Sequence, residues 1–107
     1  EETEGRLRPQ NRLEFVEEAA AMDSVEELQA AVAANPQDLE SRYALAIVQM
    51  VVGETELALQ ICLDILREDR EFRDEIGRLT MIRIFDILGK GNETATKYRR
   101  KLFNALH

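Results

Sequence analysis

The chain has 107 residues, 45% hydrophobic and 33% charged, with 14 basic against 21 acidic side chains and a net charge of −7. That length suits one domain with one modest core, and the acidic balance weighs against a general nucleic-acid binder, because phosphate contacts need a basic surface. No apolar run approaches the roughly 20 residues of a membrane-spanning helix and no signal-peptide pattern is present, so no membrane role is expected; the single cysteine, Cys62, has no internal partner, which fits a reducing compartment.

Glycine and proline are scarce, Ala, Leu, Glu and Arg are plentiful, and no stretch alternates apolar and polar residues, so the expected fold class is all-α. Residues 1–10 are polar and contain Gly5 and Pro9, which reads as a linker. Residues 11–22 carry Leu13, Val16, Ala19 and Ala20 at helical spacing, a thin apolar stripe, so 1–21 is expected to be a linker or an N-terminal helix ahead of a helical domain at 22–107. Ser24 followed by Glu27 is a capping-box pattern opening a helix through Val25, Leu28, Ala31 and Val32. That helix should stop before Asn35-Pro36, since proline disfavours α geometry in the residue before it.

A second helix is expected from about Pro36, with Leu39, Tyr43, Ala46, Ile47, Met50 and Val51 inward and Gly53 as its C-terminal cap. A third begins near Glu54 and aligns Leu57, Ala58, Ile61, Cys62, Ile65 and Leu66 on one stripe, ending in the charged run 67–71. The fourth, Phe72 to Leu88, has apolar residues on more than one face of its second half, as for a helix packed on two sides. Gly89-Lys90-Gly91 breaks the chain, and Asn92 is a suitable N-cap for a fifth helix to the C-terminus.

The short connections require antiparallel neighbours, as in stacked helical hairpins. A repeat of the tetratricopeptide (TPR) kind can be placed with Ala58 at the conserved small position of its second helix. Leu45-Ala46 then stand on the Leu-Gly of the first helix and Gly53 falls in the turn; the consensus Trp, Tyr and terminal Pro are absent. Leu28 and Ala31 form the second half of a preceding repeat, and the fourth and fifth helices form a third hairpin. The expected architecture is a TPR-like short solenoid of about five helices.

Catalytic patterns are missing. The one histidine, His107, is the last residue, the one cysteine lies in an apolar stripe, and no phosphate-cradling glycine loop occurs. Neither an enzyme active site nor a cofactor or metal site is expected. Cys62 reads as a core thiol; a redox role would need an exposed, electropositive setting. Tyr43, Ile47 and Met50, spaced by four and three, either pack against neighbouring helices or a linker, or line the concave apolar groove of a TPR stack, where a peptide binds. The segment 92–107 holds four basic residues, Lys97, Arg99, Arg100 and Lys101, against one acid, Glu93. With Ala95, Tyr98, Leu102 and Ala105/Leu106 inward, this basic face is either solubilising or a docking surface in which Arg99, Arg100 and Lys101 meet an acidic partner and Phe103 supplies an apolar anchor.

The run Met81-Ile82-Arg83-Ile84-Phe85-Asp86-Ile87-Leu88-Gly89, a short turn, and then Lys97-Tyr98-Arg99-Arg100-Lys101-Leu102-Phe103 with Leu106 resembles the closing helices of thioredoxin-like co-chaperones of the YbbN/CnoX type. The likeness covers about residues 22–107 and implies a TPR-like domain that follows a thioredoxin fold. On that likeness the chain, which begins at Glu1 without Met, is a piece of a longer bacterial protein. It implies a cytoplasmic holdase that binds unfolded clients and hands them to a GroEL-type chaperonin, with the C-terminal helix (Arg99, Arg100, Lys101, Phe103) docking on the chaperonin. The groove then faces clients or the protein's own thioredoxin domain. The alternative is a TPR scaffold for another assembly or for a homodimer.

Overall fold

The computed structural model describes residues 12–107, and the linker expected at 1–10 lies outside them. Among the described residues the regular structure is entirely helical: α1 (residues 12–20), α2 (Val25–Ala34), α3 (Leu39–Val51), α4 (Thr55–Glu68), α5 (Ile76–Leu88) and α6 (Glu93–Leu106).

Local chemistry sets most of the boundaries. At α2 the capping box is complete: the Glu27 backbone N–H donates to Ser24 Oγ at 3.2 Å and the Ser24 N–H donates to Glu27 Oε1 at 3.1 Å. Asn92 Oδ1 accepts from the Ala95 N–H at 2.9 Å to open α6. Gly53, between α3 and α4, has φ +97, a conformation that excludes an ordinary side chain. α2 ends at Ala34, ahead of Asn35-Pro36.

Two expected starts are corrected. α3 begins at Leu39 rather than near Pro36, because the Asp38 carboxylate accepts from the Glu40 and Ser41 backbone N–H groups and so becomes the cap. α5 begins at Ile76 rather than Phe72, because Arg73, Asp74 and Glu75 all take positive φ values, 48°, 58° and 65°. Successive left-handed residues other than glycine are unfavourable by about 1–2 kcal/mol each. Ion pairs flank the turn: Arg73 reaches Glu40 at 3.3 Å and Glu75 reaches Arg78 at 2.8 Å.

α4 is the central element, packed against α3, α5 and α6, while α2 covers the other side of α3. Ala58, Leu59, Cys62, Leu63, Ile65 and Leu66 of α4 are all buried, each large aliphatic side chain contributing about 1.5–3 kcal/mol through its removal from water. Gly77 permits the tight crossing of α5 on α4, since a Cβ there would stand 2.9 Å from the Cys62 carbonyl oxygen. The hairpins are thus α3/α4 and α5/α6, with α2 as the second helix of the hairpin before them.

The apolar face of α1 differs from the expected one. Leu13 and Val16 are exposed, whereas Phe15 is 1% exposed and Ala19 and Met22 pack beside it. The buried spacing is 15, 19, 22, a helical stripe rotated from the one the aliphatic residues suggest.

Candidate functional site

Two surfaces carry the residues singled out by sequence. The first is the face formed by α3 and α5. Tyr43, Ile47 and Met50 do lie together there, but they are buried in the main core cluster, joined by Phe15 of α1. Of the two readings, an open groove or packing against a neighbouring segment, the second is the one seen, with α1 supplying the cover. Glu18 of α1 accepts a hydrogen bond from Tyr43 Oη at 3.0 Å and stands 3.4 Å from Arg83 Nη2, while Glu14 stands 3.5 Å from the same nitrogen. The Arg83 guanidinium lies over the Phe15 ring, 4.0 Å from its centroid. Burial, and then the neighbouring Glu18 carboxylate, push the Tyr43 phenol up to about 12. Arg73, from the left-handed turn, lies over the Tyr43 ring, 5.1 Å from its centroid.

Phe15, Glu18 and Arg83 were not singled out by sequence. The signal for Phe15 was its spacing with Ala19 and Met22; the pairing of Arg83 with carboxylates some 65 residues away had no sequence signature.

The second surface is α6. Ala95, Tyr98 and Leu102 face inward, and Tyr98 Oη donates to Gln60 Oε1 at 2.9 Å, fixing α6 on α4. The four docking candidates divide into two groups. Arg99 and Phe103 come together with Ile82, Phe85, Asp86, Leu102 and Leu106 around a largely apolar surface groove of about 490 Å³ between α5 and α6. Arg99 lies over the Phe85 ring at 5.2 Å, and Phe103 is 61% exposed, with His107 against its ring. Arg100 and Lys101 fall on the other side of the helix with Lys97, Thr96 and Asn104. Lys97 pairs with Glu56 at 2.6 Å, and Lys101 lies over the Tyr98 ring at 4.8 Å. The basic residues thus form no single field; of the four, only Arg99 lines the apolar groove, which it shares with the acidic Asp86.

Cys62 is fully buried in the core, and desolvation pushes its thiol up to about 12. A thiolate nucleophile is disfavoured there. Among the described residues no three His, Cys, Asp or Glu side chains are grouped as metal ligands, and no helix is long and apolar enough to cross a membrane.

The hairpin order, the small residue Ala58 at the α3/α4 crossing and the glycine turn at Gly53 match the repeat pattern read from the sequence. A family model described as tetratricopeptide repeat matches residues 18–107. The chain belongs to the tetratricopeptide repeat family. No curated protein matches the sequence significantly. A TPR domain is a protein-interaction scaffold, built from elements that present helix faces to other chains. In this TPR domain the α5/α6 groove is open at the surface, while α1 packs over Tyr43, Ile47 and Met50.

Proposed function

We propose that this TPR domain is the docking module of a thioredoxin-like co-chaperone and that the α5/α6 groove is the surface it offers to a GroEL-type chaperonin. The observation that carries the reading is the convergence of Arg99 and the exposed Phe103 on one apolar groove, within the two helices whose sequence resembles the YbbN/CnoX type. An exposed aromatic beside an arginine at the edge of an apolar groove is the composition of an interface hot spot. Arg100 and Lys101, on the opposite flank, steer an acidic partner without entering the groove. The concave face at Tyr43, Ile47 and Met50 receives clients or the thioredoxin domain only when α1 leaves it. The setting is the bacterial cytoplasm.

The test is the affinity of the chain for a GroEL-type chaperonin at low and high salt. Phe103→Ser should weaken binding about tenfold at both salt concentrations, since its contribution is apolar. Arg99→Glu should weaken it mainly at low salt, where charge is least screened. A folded Arg99→Glu/Phe103→Ser variant with unchanged affinity would remove this groove from the interface.

A further inference from the structure

The connection between α4 and α5, residues 69–75, is folded against its own sequence. It contains no glycine or proline, the residues that break a helix or accept left-handed backbone at little cost. Arg73, Asp74 and Glu75 nevertheless all take positive φ, and the Ile76 N–H donates to the Phe72 carbonyl across them at 3.1 Å, closing one left-handed turn. Each of these side chains meets the steric penalty of that hand.

In the right-handed conformation the same residues would join α4 and α5 into one helix from Thr55 to Leu88, about 50 Å long. The side chains favour it. Phe72 continues the apolar stripe of Cys62, Ile65 and Ile76. Asp69 with Arg73, and Asp74 with Arg78, become i,i+4 pairs with the acid first, the favourable orientation. Straightening gives up the Arg73 contacts with Glu40 and the Tyr43 ring, but both ion-pair partners are exposed, and such pairs contribute little.

The turn persists because it folds the α5/α6 hairpin back on its own α4, burying Met81, Ile84, Ala95 and Tyr98 in the core that α4 centres. None of those contacts requires α4 to belong to the same chain. Two straightened chains can pair antiparallel about a two-fold axis through their connections, each α4 receiving the other's α5 and α6.

We infer that residues 69–75 are the hinge of an exchange with a second copy of this chain, in which α4 and α5 straighten into one helix and the α5/α6 hairpins swap. Short connections under strain invite this exchange. It re-forms the contacts of the hairpin, including Arg83 with Glu14 and Glu18 and Lys97 with Glu56, and removes the left-handed turn from both chains. Because α5 and α6 move together, the groove between them is unchanged, and the inference is independent of the chaperonin reading.

The test is refolding of the full chain from urea at about 1 mM, where chains meet while the hinge is open, followed by size exclusion with light scattering. A dimer separable from the monomer is expected. Asp74→Ala favours the right-handed helix and should raise the dimerisation constant at least about tenfold, whereas Asp74→Gly relieves the left-handed turn and should lower it as much. A Glu56→Cys/Lys97→Cys variant treated with a short bismaleimide reports the path of the chain. The native side chains at these positions meet at 2.6 Å between α4 and α6, and the buried Cys62 does not compete. In the exchanged dimer the link joins two chains, and a denaturing gel shows a covalent dimer. A dimer whose link stays within one chain is a surface association and overturns the inference. So does a dimerisation constant that neither Asp74 variant moves, or monomer alone from the unaltered chain and both variants at that concentration.

Discussion

Gly77 shows how one residue sets the approach of two helices. It is buried at the α4/α5 crossing, and an added Cβ would meet the Cys62 carbonyl oxygen at 2.9 Å and the Leu66 nitrogen at 3.4 Å. Both are backbone atoms within α4, so neither can swing aside as a flexible side chain does. Gly77→Ala should therefore destabilise the domain by about 1–2 kcal/mol. Overpacking outweighs the gain in helix propensity, which is about 0.5–1 kcal/mol. Urea unfolding followed by circular dichroism measures it, and an unchanged or higher midpoint would show that α5 shifts freely. Single residues were legible in the sequence where their chemistry is local. Ser24 with Glu27, Asn92 and Gly53 act as caps or turns as expected, because each bonds or bends within a few residues of itself. Phe15 was not legible, since its burial depends on Arg83 and Met50, which only the fold brings to it.

At the scale of elements, the α4–α5 connection is where the sequence reading and the structure part most clearly. The apolar pattern extends back to Phe72, which favours a longer helix, yet three left-handed residues delay its start to Ile76. Arg73 is held there by Glu40 and the Tyr43 ring, and Glu75 by Arg78, so tertiary contacts offset the backbone cost. At Asp74, with φ 58°, the conformation suits glycine better than any side chain. Asp74→Gly should raise stability by about 1 kcal/mol while leaving the flanking ion pairs in place. A thermal melt reads this directly, and a lowered melting temperature would mean that the turn is not under strain. Helix existence was legible from α2 onward, whereas α1, a sixth helix beside the five expected, was left open between linker and helix because its aliphatic stripe is thin. Helix starts at Leu39 and Ile76 were not legible, because a competing cap and a tertiary-held turn decided them.

For the whole molecule, the buried ionisable groups tie stability to alkaline pH. Tyr43 rises from its ordinary 10 to about 12 and Cys62 from 9 to about 12, both first through desolvation. In each the folded state favours the neutral, protonated form, so its contribution is complete below the unfolded pKa and is lost as pH climbs through the folded one. The urea midpoint should be flat from about pH 7 to 9 and fall between about pH 9 and 12. Tyr43→Phe should flatten the part of that fall above pH 10; a wild-type midpoint constant to pH 12 would contradict the burial of both groups. The sequence by itself determined the helical class, the hairpin order, the repeat register around Ala58 and the inward face of α6, because periodicity, caps and turn residues act over a few positions. Only the tertiary structure decided which surfaces are open. It placed α1 over Tyr43, Ile47 and Met50 and gathered Arg99 and Phe103 around one groove while sending Arg100 and Lys101 to another, since exposure depends on which distant segment packs where, and no local pattern encodes that.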